Sequence, residues 1–248
     1  MELKEFFAEY PKAAVAFSGG VDSAYLLYCA RQCGAQVRAY YARSAFQPEF
    51  ELRDALRLAE QLEIPMEVLP VDVLSVKEIA DNPPDRCYFC KGRIFGAIRR
   101  AAEADGFSVL LDGTNASDET QDRPGMRAAR ELAVLSPLRI CGLTKEEIRR
   151  RSREAGLFTW DKPAYACLAT RIPAGEAITG EKLRATEAAE SFLASLGLRD
   201  FRVRRMGDAA KIQVRQDQLA LVLENRERIL AELKRCYSAV VLDLEVRG

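Results

Sequence analysis

A chain of 248 residues has room for one large domain or two modest ones, each able to bury its own core. Its 37 lysines and arginines are offset by 37 acids, so the totals imply no broad basic surface for nucleic acid, and no run approaches the ~20 apolar residues of a membrane span. The chain has no histidine, which excludes His-based triads, His general bases and His metal ligands and leaves Cys, Asp, Glu, Lys, Arg and backbone for any chemistry.

Met1 to Pro11 mixes acids and aromatics where a signal peptide needs a basic start and an apolar middle, so a cytoplasmic location is expected. In that reducing compartment the seven cysteines are read as thiols or metal ligands rather than disulfides. Lys12 to Phe17 reads as a buried strand and Ala24 to Cys33 as a helix, which puts Ser18, Gly19 and Gly20 on a strand-to-helix turn. The N–H groups at a helix start attract oxyanions, and glycine lets the backbone approach them. The loop lacks the Gly-Lys-Ser/Thr ending of a Walker loop. The hexapeptide Ser18-Gly19-Gly20-Val21-Asp22-Ser23 resembles the signature of the PP-loop ATP pyrophosphatases. By that resemblance Ser18, Gly19, Gly20, Asp22 and Ser23 bind ATP, magnesium sits near Asp22, and ATP is cleaved between its α and β phosphates.

Cys29 and Cys33 lie four apart on the following helix, where packing on a sheet competes with a metal site as their role. Ala35 to Tyr41 reads as a second strand, Pro48 to Leu62 as an amphipathic helix and Pro65 to Val73 as a third strand. Strands alternating with helices at these lengths predict an α/β fold, a parallel sheet with helices on both faces. Ligands of such sheets lie beyond the carboxyl ends of the strands, where the Ser18 loop falls and where Arg43 and Ser44 could line an adenine pocket. Asn82-Pro83-Pro84 delays the next helix, which runs from about Asp85 to Ala104 and carries Cys87 and Cys90 in its first turn. Phe107 to Leu111 is the next expected strand, leaving at the same edge through Asp112-Gly113-Thr114-Asn115, with Asn115 a candidate nucleotide contact. Arg123-Pro124-Gly125-Met126-Arg127 turns into a helix, making Arg127 another candidate. Ala133 to Leu135 is a short strand, and Thr144 to Glu147 has capping-box spacing for a helix to about Ala155.

The Pro- and Gly-punctuated stretch from Trp160 to Gly180 reads as a join, dividing a nucleotide domain, 1–172, from a small α+β domain, 173–248. In the latter a helix spans Thr179 to Leu196, strands cover Phe201 to Arg205 and Ala210 to Arg215, a helix covers Gln218 to Leu233, and Val240 to Val246 is a last strand. Arg202 and Arg204 alternate and so face one way, either onto solvent or, with their forked donors, onto a substrate phosphate. Cys141 and Cys236 are assigned to packing, and Trp160 to core or a domain interface.

The Cys87-x-x-Cys90 spacing fits zinc, a redox dithiol or an iron–sulfur cluster. A third ligand exists among the remaining cysteines, but no obvious fourth. The segments Asn82 to Lys91, Asp112 to Asn115, Arg123 to Gly125 and Cys167-Leu168-Ala169-Thr170-Arg171-Ile172-Pro173, with the Ser18 loop, resemble the LarE-type sulfur transferases over the first ~175 residues. That family makes the thiocarboxylates of the nickel-pincer nucleotide cofactor from pyridinium-3,5-biscarboxylic acid mononucleotide. Some members sacrifice the sulfur of the cysteine matching Cys167. Others hold a [4Fe-4S] cluster on cysteines matching Cys87, Cys90 and Cys167, leaving one iron open to exogenous sulfide. This chain has all three, so the resemblance implies catalytic Cys87, Cys90, Cys167 and Asp22, with ATP, magnesium and the cluster as cofactors. It also implies a small-molecule nucleotide substrate, a homo-oligomer and hand-off of product to a nickel-inserting enzyme. The family's His-Gly near the small domain's strands is Met206-Gly207 here, and no glycine follows Asp243. A PP-loop tRNA thiolase, or a nucleotide sensor whose cysteines tie domains together, would share parts of this pattern.

Overall fold

The computed structural model describes residues 1–118 and 124–247. Arg123, at the head of an expected turn, lies outside the described residues. In chain order the elements are α1 (Leu3–Glu9), β1 (Lys12–Ala16), α2 (Val21–Gln32), β2 (Gln36–Arg43), α3 (Glu49–Gln61), β3 (Met66–Pro70), α4 (Lys77–Ala80), α5 (Arg86–Ala104) and β4 (Leu110–Leu111). They continue with α6 (Pro124–Glu131), α7 (Pro137–Ile140), α8 (Lys145–Glu154), α9 (Gly180–Ser195), β5 (Arg202–Met206), β6 (Ala209–Gln213), α10 (Leu219–Glu224), α11 (Arg226–Leu233) and β7 (Ala239–Leu242). Among the described residues no helix is long and apolar enough to cross a membrane.

Two compact units result, Met1–Val73 with Asp85–Lys162, and Leu74–Pro84 with Pro163 onward. In the larger unit a parallel sheet runs in the order β3-β2-β1-β4. The central strand β1 is apolar on consecutive residues, as strands covered on both faces are. Ala13 and Val15 join a cluster with Phe6, Leu26 and Leu58 from α1, α2 and α3, whereas Ala14 joins a second with Phe95 and Ile98 of α5. Helices therefore cover both faces, as the alternation predicts. α2 is buried around most of its circumference, so it lacks a polar stripe and holds the helix start rigidly at the end of β1. The expected strand over 107–111 shrinks to Leu110–Leu111, and that over 133–135 to a bridge between Leu111 and Leu135. On this edge β1 has partners only at Ala14 and Val15, and Phe107 packs into the core beside α5.

The smaller unit pairs β5 antiparallel with β6, and β6 parallel with β7. Leu193, Val203, Ile212, Ile229 and Leu233 form its core between sheet and helices. The single helix expected over 218–233 is interrupted at Asn225, whose side-chain amide donates to the Leu221 carbonyl at 3.0 Å while its own carbonyl starts the next helix. Side chains that bond the local backbone compete with helix continuation.

The unit boundary in the structure falls at Lys162/Pro163, ten residues before the expected 172/173, and the excursion Leu74–Pro84 belongs to the smaller unit. Asn82 explains the excursion. It is buried, adopts a left-handed φ of 56°, and its Nδ2 donates to the carbonyls of Ile172 (3.3 Å), Pro173 (2.7 Å) and Glu176 (3.2 Å). Its carbonyl accepts from Gly175 N–H at 2.8 Å. One side chain thus stitches two segments some ninety positions apart.

Candidate active site

The loop after β1 is braced by two hydroxyls. Ser23 Oγ lies 3.1 Å from Ser18 Oγ, donates to the Gly20 carbonyl at 3.2 Å and accepts from Ser18 N–H at 3.3 Å. Gly19 has φ +72°, and a Cβ there would lie 3.2 Å from both Ala55 Cβ and the Glu51 carbonyl of α3, so glycine is required by conformation and by space. Gly20 caps α2, whose first N–H groups have no intrahelical partners and face the loop's mouth. The loop after β4 is held against this helix start. Asp112 accepts from Thr114 N–H and Oγ1 and from Ser136 Oγ (3.1, 2.7 and 2.7 Å), and a Cβ on Gly113 would meet Ser23 N at 2.8 Å.

Asp22 sits in the first turn of α2. One carboxylate oxygen, Oδ2, takes the Lys145 ammonium at 2.5 Å; the other, Oδ1, is buried with no hydrogen-bond partner. Burial raises the Asp22 pKa above the ordinary carboxylate value even though Lys145 pulls it down. An orphaned oxygen on a carboxylate beside an anion-binding helix start suits a hard divalent cation such as magnesium. On the other side of the loop Lys162 Nζ lies 3.4 Å from the Gly19 carbonyl and 2.7 Å from Asp54 Oδ2. Arg149 fixes that lysine's turn by donating to the carbonyls of Trp160 (2.6 Å) and Lys162 (2.8 Å). Two lysines therefore flank the loop, 123 and 143 positions away in sequence. Neither carries a local signal, since Lys145 reads only as the start of a capped helix and Lys162 as part of a punctuated join. The cap itself is present, with Thr144 Oγ1 accepting from Glu147 N–H at 3.3 Å.

The other nucleotide candidates have structural duties. Ser44 follows β2 at the expected edge, with Oγ donating to Gln47 Oε1 at 2.6 Å and accepting from Phe46 N–H at 3.2 Å. Asn115 is buried, its Oδ1 accepting from Ser117 N–H at 2.8 Å and its own N–H donating to Asp118 at 2.9 Å. Arg127 lies with its guanidinium 4.2 Å over the ring of Tyr88, inside the Cys87 to Cys90 motif.

Cys87 is exposed in the first turn of α5 and Cys90 half-buried at the start of the second, and a three-residue spacing puts them on one helix face. Buried Arg86 donates to Cys87 Sγ at 3.7 Å, a cation that complements charge on sulfur. Cys167, half-buried, belongs to the smaller unit, where it precedes a 3₁₀ turn over Leu168–Arg171. Its carbonyl accepts from Thr170 N–H (3.0 Å) and Oγ1 (2.9 Å). Arg171, 1% exposed, donates to the Ala166 and Cys167 carbonyls (2.9 and 3.4 Å) and forks onto Glu190 (2.7 and 3.2 Å). Burial opposes the Arg171 charge, but Glu190 outweighs it and the pKa is raised. Glu190 also accepts from Tyr165 Oη and from Val203 N–H at 2.9 Å.

Arg202 and Arg204 bind the same loop. Arg202 donates to the Ala164 carbonyl at 2.5 Å and Arg204 to the Thr170 carbonyl at 2.7 Å. Both are less basic than usual, first through burial and then through repulsion from Arg171. A solvated face is excluded for Arg202, which is 5% exposed. Within each unit, among the described residues, no three Cys, Asp or Glu side chains converge as a metal site. Of Cys87, Cys90 and Cys167, two belong to the larger unit and one to the smaller. Cys29 packs as expected, its thiol pushed up to about 12 by burial, but Cys33 and Cys236 are exposed because each lies at the outer end of a helix.

A family model described as queuosine biosynthesis protein QueC matches residues 12–82, the segment that carries the phosphate loop. An uncharacterized protein of Synechocystis sp. is 36% identical over 249 residues, covering 98% of this chain and 92% of the relative. Pyridinium-3,5-bisthiocarboxylic acid mononucleotide synthase of Lactiplantibacillus plantarum is 32% identical over 236 residues, 94% of this chain and 86% of that one. The chain belongs to the LarE-type family. Its likeness to a tRNA-specific 2-thiouridylase of Thermotoga sp., 28% over 194 residues, takes in 61% of this chain and 54% of that enzyme, as a shared PP-loop superfamily allows. The LarE-type match, unlike the family model, extends through both units and so includes Cys87, Cys90 and the Cys167 loop.

Proposed function

We propose that this LarE-type protein uses ATP to transfer sulfur to pyridinium-3,5-biscarboxylic acid mononucleotide, giving thiocarboxylates for the nickel-pincer nucleotide cofactor. The observation that carries the reading is the match, over 94% of this chain, to a synthase named for the bisthiocarboxylic product. Direct attack of sulfide on a carboxylate would have to expel oxide, so a leaving group must be installed first. In the adenylation step a substrate carboxylate oxygen attacks the α phosphorus of ATP and pyrophosphate departs. The α2 start would receive the phosphates, Asp22 would hold magnesium, which neutralises phosphate charge when bound, and Lys145 and Lys162 would offset the charge of pyrophosphate. Hydrosulfide then adds to the acyl carbon through its sulfur, AMP leaves with the C–O electron pair, the S–H proton passes to solvent to leave a thiocarboxylate, and the cycle repeats on the second carboxylate. A [4Fe-4S] cluster held by Cys87, Cys90 and Cys167 would supply that sulfur from exogenous sulfide.

Arg171 and Arg247 both disfavour the charges of Arg202 and Arg204, so an anion there would be favourable, which supports a substrate-phosphate role for Arg204, the less buried of the two. A homo-oligomer follows from the family resemblance, and exposed Met206, Leu223 and Leu244 are apolar side chains available to a second copy. The balanced charge supports a small-molecule substrate over RNA in a cytoplasmic enzyme that passes its product to a nickel-inserting partner. The test is anaerobic incubation with ATP, magnesium, sulfide and the pyridinium dicarboxylate. Expected are AMP, pyrophosphate and a sulfur-for-oxygen mass gain in the substrate. Sulfur appearing instead in bulk tRNA would replace this reading by a tRNA thiolase.

A further inference from the structure

Lys145 and Lys162 both flank the phosphate loop, yet their surroundings differ in a way that separates their roles. Lys162 is only 15% exposed along its side chain, has its own carboxylate in Asp54, and lies 5.4 Å over the ring of Phe50, so it is a fixed cation. Lys145 is 33% exposed along its side chain, and the carboxylate on which its ammonium rests is Asp22. Its main chain is pinned, since Lys145 N–H donates to Ser117 Oγ at 2.9 Å and Thr144 caps the helix that Lys145 begins. The ammonium can therefore move by side-chain rotation alone, on a flexible four-carbon stem.

We infer that Lys145 is an exchangeable cation for Asp22. It occupies one carboxylate oxygen while the nucleotide is absent, then leaves for the phosphate oxygens when nucleotide brings a divalent cation to that carboxylate. The inference rests on the nucleotide reading of the Ser18 loop and adds to it. Its argument is electrostatic. Asp22 carries one negative charge, already matched by one ammonium, and its second oxygen is buried without a partner. A divalent ion arriving at that oxygen would place like charges on the two oxygens of one carboxyl group, and like charges at such spacing repel. Nearby, ATP presents several unmatched negative oxygens. The ammonium lowers its energy by changing partners, and the same side chain serves the empty and the loaded site. An arginine there would fork onto both carboxylate oxygens and obstruct the exchange.

The test uses full-length protein, manganese as the metal alone, and magnesium with ATP, each followed by calorimetry and manganese also by electron paramagnetic resonance. Lys145→Met removes the competing charge while keeping the length of the stem. Manganese without nucleotide should then bind about fivefold tighter or more, and MgATP about tenfold weaker or more, the size of a lost charge-assisted contact. Opposite signs from one substitution are the mark of exchange. Both affinities unchanged would make the contact a static surface ion pair and overturn the inference, as would weaker manganese binding. Lys162→Met should weaken MgATP and leave manganese unchanged; tighter manganese in that variant would also overturn it. If Asp22→Ala binds manganese and MgATP as the wild type does, the exchange and the nucleotide reading of the loop fall together. If the Lys145→Met signs are as expected but no sulfur reaches the pyridinium substrate, the exchange stands and only the sulfur-transfer reading falls.

Discussion

Asp22 combines two demands that conflict in a stability sense. Burial opposes its charge, yet the proposed magnesium at the α2 start would need that carboxylate charged. Asp22→Ala should therefore abolish pyrophosphate release while leaving Tm almost unchanged, because the lost contact with Lys145 is offset by the lost desolvation; normal pyrophosphate release would refute the assignment. Asp243 shows the contrary balance. Lys211 Nζ and Gln213 Nε2 both lie on its Oδ2, at 2.8 and 2.7 Å, and hold its pKa down at about 2. A depressed carboxylate contributes stability that is present above its unfolded pKa and lost as pH falls through the folded one. Titration of the Asp243 carboxyl by nuclear magnetic resonance should give a midpoint near 2, and Lys211→Met should move it up toward the ordinary range; an unmoved midpoint would show that Lys211 is not the cause. Gln213 also accepts from Arg204 Nε at 2.6 Å, so the same contacts orient one of the arginines behind the Cys167 loop.

At the scale of elements, two loops do the positioning. The Gly113 loop approaches α2 so closely that an added Cβ would lie within 2.8 Å of Ser23 N and 3.1 Å of its Cα, both backbone atoms that cannot swing aside. Gly113→Ala should cost about 1 to 3 kcal/mol and displace the α2 start. MgATP affinity should fall with it, and unaltered affinity in a folded variant would show that the helix start tolerates the shift. The Cys167 loop depends on Glu190, which is 5% exposed and accepts from Arg171, Tyr165 and Val203. Glu190→Gln leaves Arg171 buried without its counter-ion, so unfolding should become easier by about 3 to 5 kcal/mol, with Cys167 alkylated faster than in the wild type. Wild-type stability in denaturant would mean that the loop is held by the remaining arginine contacts alone. The sequence makes the alternation of strand and helix legible, together with the Gly-Gly turn and the Thr144 cap, because those signals are local. The shortened β4 and the Asn82 stitch depend on partners distant in the chain, as do Lys145 and Lys162, and no local period records them, whereas the Asn225 break is a local bond to Leu221 that helical periodicity alone does not register. Arg202 and Arg204 were legible as a pair on one strand face, but not as donors to loop carbonyls, because backbone acceptors leave no mark on residue type.

For the molecule as a whole, the distribution of cysteines bears on where the transferred sulfur comes from. Cys87 and Cys90 are carried by the unit that holds the phosphate loop, and Cys167 by the unit built on Glu190. A protein that sacrifices the Cys167 sulfur needs neither residue of the α5 pair to complete one turnover, whereas a three-thiolate cluster loses an anchor when either is removed. Cys167→Ala is silent on the choice, since both mechanisms use that residue. Cys87→Ala and Cys90→Ala are decisive. Each should abolish iron and acid-labile sulfide in anaerobically prepared protein, together with its brown colour, and should end repeated turnover on ATP, magnesium and sulfide. Mass spectrometry of spent wild-type protein should find Cys167 intact. A loss of about 34 Da there, the hydrogen sulfide released when cysteine becomes dehydroalanine and an irreversible end for that side chain, would instead make the protein a single-turnover donor. In that outcome the Cys87 and Cys90 variants would retain one full turnover, so protein mass and turnover number must agree on the source of sulfur.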